Sequence, residues 1–265
     1  MKQQYDSWKD YWDTRGKNVR QDYEVDRGQS CRGLEADELA ERHLINFINP
    51  KPEDRLLDAG CGTGINIERF SPKVRSLVGI DYSESMVERA QKRIDAAHIG
   101  NAQVQAGSIA DTGLPSDSFD KVICISVMQY LNDRDCEAAL KEFVRITKDG
   151  GEIILHVKNL ASLYLGSLYA AKKLKSLLSK KVKIEFYRAQ RFYERKLSEY
   201  GAQPVQHDSR SIFVIDFLPP KLYNWLLLME ARHYKSRFLR RFGSEYFIKA
   251  KVDKSRFGAS AKIKP

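Results

Sequence analysis

Cysteine is scarce in this sequence, and what there is lies scattered. Cys31, Cys61, Cys124 and Cys136 form no C-x-x-C pair. That spacing argues against a structural zinc site or a redox dithiol, so no metal is expected. Four free thiols suit a reducing compartment. Long apolar runs are missing too: no stretch reaches the about 18 residues that a membrane-spanning helix needs. The first residues, MKQQYDSWKDYWDTRG, lack the apolar centre of a signal peptide. Cytoplasmic residence is the expectation. There is no internal repeat and no low-complexity linker. No Lys-Ser/Thr pair follows the one glycine cluster, which excludes a phosphate-binding P-loop.

Positive charge is in excess, and it is unevenly placed. The net formal charge is +10. Ten Lys/Arg stand against Glu185 and Glu194 between Lys172 and Lys196, and twelve stand against Glu230, Glu245 and Asp253 from Lys221 onward. The remainder is acidic. An acidic body with basic additions implies an anionic partner: a membrane surface, a nucleic acid or an acidic substrate.

The pattern along the chain is that of an α/β protein. EADELAERHLINFI places Leu39, His43 or Leu44, Phe47 and Ile48 on one helical face, and Pro50 and Pro52 end that helix. Strands are expected at RLLDAG, SLVGID, AQVQAG, FDKVICISVM and GGEIILHVKN, with helices at INIERF, SESMVERAQKRIDAAH and DCEAALKEFVRITK. Ser83 is a natural N-cap, with Met86, Val87, Ala90 and Ile94 turned inward. This β-α-β-α rhythm over 55–158 predicts a parallel sheet with helices on both faces. After Asn159 the texture changes. NLASLYLGSLYAAKKLKSLLSKK and AQRFYERKLSEYGA read as helices, SIFVIDF as a strand broken by Pro219 and Pro220, and SEYFIKAKV as the last strand. KLYNWLLLMEARHYKSRFLRRF runs from apolar to basic.

In LLDAGCGTG three glycines, Gly60, Gly62 and Gly64, crowd one turn. Glycine costs conformational entropy, so a cluster suggests that backbone must approach a ligand closely. The spacing is GxGxG, whereas a hydride-transfer dinucleotide fold prefers GxGxxG. Such a loop after the first strand lies at the carboxyl ends of an open sheet, where ligands bind. Asp58 before it would repel a triphosphate and suits a ligand that donates hydrogen bonds or carries positive charge. Asp81 ends the next strand, where an acid suits two ribose hydroxyls. Loop and acid together specify a nucleoside whose other end is not a phosphate.

These segments resemble class I S-adenosylmethionine-dependent methyltransferases of the small-molecule type, similar to the methyltransferase domain 11 and 25 families. The resemblance rests on LLDAGCGTG at 56–64, VGIDYSESMVERA at 78–90, AGSIADTGLPSDSFDKVICISVMQYLND at 106–133 and LKEFVRITKDGGEIILHVKN at 140–159, in order and at the expected spacing. It implies a Rossmann-like, doubly wound, mostly parallel seven-stranded sheet with the last strand antiparallel, plus helical N-terminal and C-terminal caps. It implies S-adenosyl-L-methionine as cofactor. Asp58, Gly60, Cys61, Gly62, Thr63 and Gly64 would then wrap its methionine part, Asp81 would hold the ribose, and Tyr82 would also bind the cofactor. Ser108 and Ile109 would line the adenine, and Met86 and Ser126 would lie near the cofactor. Many relatives carry an acid where Ser108 stands, so the adenine amine contact passes to Asp111 or to backbone. Met86 reads equally well as core. Residues 1–50 are expected to form a helical lid or cap, 51–159 the cofactor-binding core and 160–200 a basic amphipathic helical insertion. Residues 201–252 would complete the sheet around an apolar and basic helical insertion, and 253–265 would form a flexible tail.

The reaction implied is in-line transfer of a methyl group from a sulfonium, for which alignment is the main demand. A hydroxyl acceptor also needs a base. His156, at the end of the fifth strand, is the best-placed histidine for catalysis; a buried histidine bonded to backbone is the alternative reading. Tyr130 and Gln129 are candidates to orient the acceptor, Tyr11, Trp12 and Arg15 to close over it, and Asn159 to line its site. A base-amine nucleic-acid enzyme of this fold would carry Asn/Asp-Pro-Pro-aromatic where ISVM stands. The Pro-Cys nucleophile of a cytosine C5 enzyme and the carboxylate cluster of a metal-dependent catechol-type enzyme are also missing. The expected acceptor is a small molecule or a lipid-linked or glycan compound, isoprenoid quinones included, methylated on oxygen. Leu222, Trp225, Leu226 and Leu228, followed by Arg232, Lys235, Arg237, Arg240 and Arg241, suit an interfacial helix on anionic lipid. That would hold the protein at the inner face of the cell membrane. A tRNA or rRNA methyltransferase and a non-catalytic cofactor-binding regulator are the alternatives. Oligomeric state is not legible.

Overall fold

The computed structural model describes residues 2–18, 34–162, 165–167, 169–170, 174, 185–210, 222, 225–226, 229 and 243–256. Two helices come first, α1 (Lys2–Asn18) and α2 (Leu34–Ile48). Seven strands follow: β1 (Arg55–Ala59), β2 (Ser76–Asp81), β3 (Ala102–Ala106), β4 (Phe119–Ile125), β5 (Thr147–Lys158), β6 (Ala202–Arg210) and β7 (Glu245–Val252). Among them lie α3 (Ile65–Phe70), α4 (Glu84–Ala96), α5 (Asp133–Ile146) and α6 (Gln190–Glu199).

The strands form one sheet in the order β3-β2-β1-β4-β5-β7-β6. The pairs from β3 to β5 are parallel, and β7 runs antiparallel to both β5 and β6. This is the expected doubly wound sheet with its last strand reversed. The order of connection reverses between β1 and β4, which opens a crevice at their carboxyl ends.

Strand alternation assigns each apolar side chain to a face. Leu57, Ala59, Val122, Cys124 and Leu155 point to one side and pack with Leu140 and Phe143 of α5 and with Tyr193 and Leu197 of α6. Leu56, Leu77, Ile123 and Ile154 point to the other. There they meet Leu44, Phe47 and Ile48 of α2, Ile67 and Phe70 of α3, and Ala90 and Ile94 of α4. With both faces covered, the central strands read as nearly continuous apolar runs. Ser83 caps α4 as expected, its hydroxyl accepting from Met86 N–H, a contact worth about 1 kcal/mol.

The sixth strand lies where the sequence pattern is weakest. It is formed by AQPVQHDSR, paired to β7 from Ala202 opposite Val252 to Arg210 opposite Glu245. This is an edge strand, with Val205 exposed and an irregular register between Pro204 and Gln206. An edge strand tolerates proline and needs no apolar run, so propensity passes over it. SIFVIDF, the segment expected to be a strand, lies outside the described residues, as does Cys31. At their described positions the stretches around 165–174 and 222–229 are helical.

Candidate active site

All three glycines of the loop after β1 have positive φ: +86° at Gly60, +54° at Gly62 and +82° at Gly64. Side chains at such φ are strained, which accounts for the GxGxG pattern locally. A Cβ on Gly60 would overlap Val127, and one on Gly64 would stand 3.0 Å from Ala90 Cβ. The loop is pinned beneath: Gly60 and Cys61 N–H both donate to the Ile80 carbonyl, at 2.7 and 3.0 Å. Asp58 is wholly buried at the end of β1. Thr63 and Cys61 are buried, and the Thr63 carbonyl accepts from Arg93 Nε at 3.0 Å. The loop therefore presents backbone, with Asp58 behind it.

Asp81 ends β2 beside this loop. Its Oδ2 accepts from Gly62 N–H and its Oδ1 from Ser83 N–H, both at 2.9 Å. Each carboxylate oxygen keeps acceptor capacity for a ribose hydroxyl. Burial pushes this carboxyl above the ordinary aspartate value; the bonds from Ser83 and Gly62 oppose that, and Asp13 adds repulsion.

Asp13 belongs to α1, which lies across the same edge. Ser83 Oγ donates to Asp13 Oδ1 at 2.5 Å, and Ser85 Oγ donates to the Asp13 carbonyl at 3.1 Å. Lys9 bonds Asp13 at 3.0 Å and stands 5.7 Å above the Tyr82 ring. Gly16 packs directly on Ser85, and its carbonyl accepts from Arg89 Nε at 2.5 Å. The other side of α1 meets the loop after β4: Trp8 and Trp12 lie 4.7 and 5.4 Å from the Tyr130 ring, and Tyr11 sits between the two indoles. Arg15 donates to Tyr11 Oη at 3.3 Å. Tyr11, Trp12, Arg15 and Tyr130, expected near the acceptor, are thus brought together as one aromatic wall, with Trp8 an unforeseen member.

The carboxyl end of β4 contributes Ser126, Gln129 and Tyr130. Gln129 is buried; its Nε2 donates to the Ser126 carbonyl at 2.7 Å, while its Oε1 has no hydrogen-bond partner among the described residues. Burial pushes the Tyr130 hydroxyl up to about 12; a Gln129 hydrogen bond opposes this and nearby Glu185 and Tyr11 reinforce it. Tyr130 is therefore a neutral phenol near neutral pH, fit to orient a ligand rather than to remove a proton. His156 is buried, stacked on Phe247 at 4.4 Å, with Nδ1 2.8 Å from Ser126 Oγ.

The loop after β3 is held from below. Ser108 Oγ accepts from Ala110 N–H at 3.2 Å, so its hydroxyl is engaged with its own turn, and Ile109 is buried in the core. Asp111 is exposed. Glu142 of α5 anchors the segment by accepting from Thr112 N–H at 2.9 Å and pairing with Arg145 at 2.7 Å. Met86 is buried beneath the Ser83 cap.

Asn159, expected to line the acceptor site, is held by backbone at the end of β5. It is wholly buried; its Nδ2 donates to the Gly243 carbonyl at 2.9 Å and its Oδ1 accepts from Ala161 N–H at 3.1 Å, which ties the end of β5 to the entry of β7. Arg188, which no sequence pattern singled out, is buried and grips the loop after β4. It reaches Asp133 at 2.9 Å and the carbonyls of Met128, Leu131 and Phe186 at 3.2, 2.8 and 3.2 Å. Among the described residues no group of His, Cys, Asp and Glu is arranged to hold a metal ion.

An open α/β sheet with a bare glycine loop and a ribose-type acid at its switch point defines a nucleoside-binding protein of the doubly wound class. The pattern of the Methyltransferase domain family matches residues 56–151. The uncharacterized methyltransferase YcgJ of Bacillus subtilis (strain 168) is 31% identical over 112 residues, 42% of this chain and 44% of that protein. Its crystal structure superposes with a TM-score of 0.57 at 18% identity, over 82% of this chain and 98% of that one, a likeness of fold. Nocamycin O-methyltransferase of Saccharothrix syringae is 32% identical over 125 residues, 46% of this chain and 44% of that protein. The ubiquinone/menaquinone biosynthesis C-methyltransferase UbiE of Geotalea daltonii is 30% identical over 118 residues, 43% of this chain and 49% of that protein. The chain spans about half the length of the curated relatives it matches.

Residues 56–151 are thus similar to a methyltransferase domain, and that likeness supports S-adenosylmethionine as the cofactor. The residues present fit that group: Gly60, Gly62 and Gly64 would offer it bare backbone, and Asp81 would offer its ribose two acceptor oxygens.

Proposed function

We propose that this protein methylates oxygen on a small-molecule or lipid-linked acceptor, presented at an anionic membrane surface. The cofactor supplies a methyl group already activated on a sulfonium. The chain's own residues then have to orient the acceptor, keep water out and take up the proton that a hydroxyl loses. The observation that carries the oxygen reading is His156, a buried imidazole joined to Ser126 at 2.8 Å beside the switch point. The wall of Trp8, Trp12 and Tyr130 supports an acceptor with an apolar or unsaturated face. The names of the nocamycin and quinone-pathway relatives are in keeping with acceptors of that kind.

Support for the surface comes from Leu174, Leu222 and Trp225, which are exposed in the basic stretches. Apolar and cationic side chains together suit an interfacial contact with anionic lipid. Among the described residues no helix is long and apolar enough to cross a membrane.

The deciding experiment incubates the protein with methyl-labelled S-adenosylmethionine and a total cell extract, then separates lipid, aqueous and RNA fractions. Label is expected in the lipid or aqueous fraction, as an ether or ester methyl. Label confined to RNA, or bound to carbon, overturns the oxygen reading. Sedimentation with anionic vesicles at low salt tests the surface, and absence of binding removes it.

A further inference from the structure

Ser126 is the first residue beyond β4 and has a φ of +60°. Few residues with a side chain adopt this conformation, and it costs on the order of 1–3 kcal/mol unless its surroundings impose it. Three hydrogen bonds impose it here. Ser126 N–H donates to the His156 carbonyl at 3.1 Å, its own carbonyl accepts from Gln129 Nε2 at 2.7 Å, and its Oγ lies 2.8 Å from His156 Nδ1. A glycine would take this φ without strain. What serine adds is a hydroxyl, half-buried, next to the Val127 side chain that packs on Gly60.

His156 sets the polarity of that hydroxyl. Its Nε2 lies 3.8 Å from Glu245 Oε2, and Lys158 holds the other carboxylate oxygen at 3.1 Å. A carboxylate on that side favours the ring proton on Nε2. Nδ1 then carries a lone pair, and the Ser126 O–H donates to it. The hydroxyl proton is thereby committed to the protein, and the oxygen is left as an acceptor.

We infer that Ser126 Oγ contacts the bound ligand as an acceptor for an N–H or O–H group, and that His156 with Glu245 is the pair positioning it. Two groups in the site have that chemistry: the ammonium of the cofactor's methionine part, and a hydroxyl or amine on the methyl acceptor. The inference rests on the S-adenosylmethionine reading of the site.

The test uses the full chain and three measurements: calorimetric binding of S-adenosylhomocysteine, calorimetric binding of 5′-methylthioadenosine, which lacks the ammonium, and label transfer into cell extract. If the cofactor supplies the donor, S126A weakens S-adenosylhomocysteine by about tenfold and leaves methylthioadenosine within about twofold. If the acceptor supplies it, both nucleosides bind as before and label transfer falls by about tenfold. S126G, free of backbone strain, must match S126A in either case. In S-adenosylhomocysteine binding, H156A must add less than about twofold in the S126A background, because there the two act as one unit. H156N, which returns an acceptor near the Nδ1 position, must recover most of any loss that H156A causes in S-adenosylhomocysteine binding. The inference is overturned if S126A moves none of the three measurements, if it weakens both nucleosides alike, or if H156A keeps its full effect on S-adenosylhomocysteine binding beside S126A. Failure of the unmodified chain to bind either nucleoside is a different result and overturns the cofactor reading itself.

Discussion

Gly60 and Val127 occupy neighbouring ends of β1 and β4 so closely that a Cβ on Gly60 would overlap Val127 Cγ2 and lie 3.1 Å from its Cγ1. The switch-point crevice is therefore shaped by a missing side chain on one strand and a branched one on the next.

Gly60→Ala meets two obstacles, this overlap and a φ of +86°. The backbone alone costs about 1–2 kcal/mol. Expected are a lower melting temperature and loss of S-adenosylhomocysteine binding by calorimetry. Adding Val127→Ala relieves the overlap but not the φ, so it restores only part of the stability. Full recovery in the double variant would show that the backbone conformation is irrelevant.

Gly16→Ala drives a methyl group into Ser85 Oγ and lifts α1 from the edge where Asp13 meets Ser83. α1 lies against both the Asp81–Ser85 edge and Tyr130, so loosening it should speed entry and exit together. Stopped-flow binding of S-adenosylhomocysteine, followed through Trp8 and Trp12 fluorescence, should show both rate constants rising. An unchanged dissociation rate refutes a covering role for α1.

Burial of Glu142 pushes its carboxyl up, but hydrogen bonds from Arg145 and Thr112 outweigh it and hold the group below the ordinary glutamate value of 4.5. A lowered carboxyl contributes stability that is complete above the unfolded value and is lost as pH falls through the folded one. Glu142→Gln should therefore cost about 1.5–3 kcal/mol at neutral pH, with the gap to the parent closing as pH falls below about 4.5. Urea melts across that range measure it, and a gap independent of pH would assign the loss to shape rather than charge.

Arg188→Lys keeps the charge and loses the fork that spans the Met128 and Leu131 carbonyls. Because those carbonyls flank Gln129 and Tyr130, label transfer into extract should fall by about tenfold or more while S-adenosylhomocysteine affinity stays within about twofold. A parallel loss of cofactor affinity would show that Arg188 supports the whole crevice instead.

The core strands and the cofactor loop were readable because their causes are local. Three glycines at positive φ, an acid at the end of β2 and a serine at the start of α4 each answer a demand made by their own few residues. Strand β6 was not readable, since an edge strand with one face open needs no apolar run. The partner of Asn159 at the end of β5 was not readable either, because its amide holds Gly243, a residue 84 positions away.

By itself the sequence determined the strands and helices from β1 to β5 and the glycine loop between them, through short-range conformational preference and hydrophobic period; the cofactor followed from the resemblance that these motifs carry. Tertiary structure alone decided that Asp13 stands at the cap of α4, that Trp8 joins Tyr130, that Arg188 clamps the loop after β4 and that Glu245 faces His156. Each of these contacts joins groups brought close only when the sheet assembles, and no pattern of neighbouring residues encodes a distance across it.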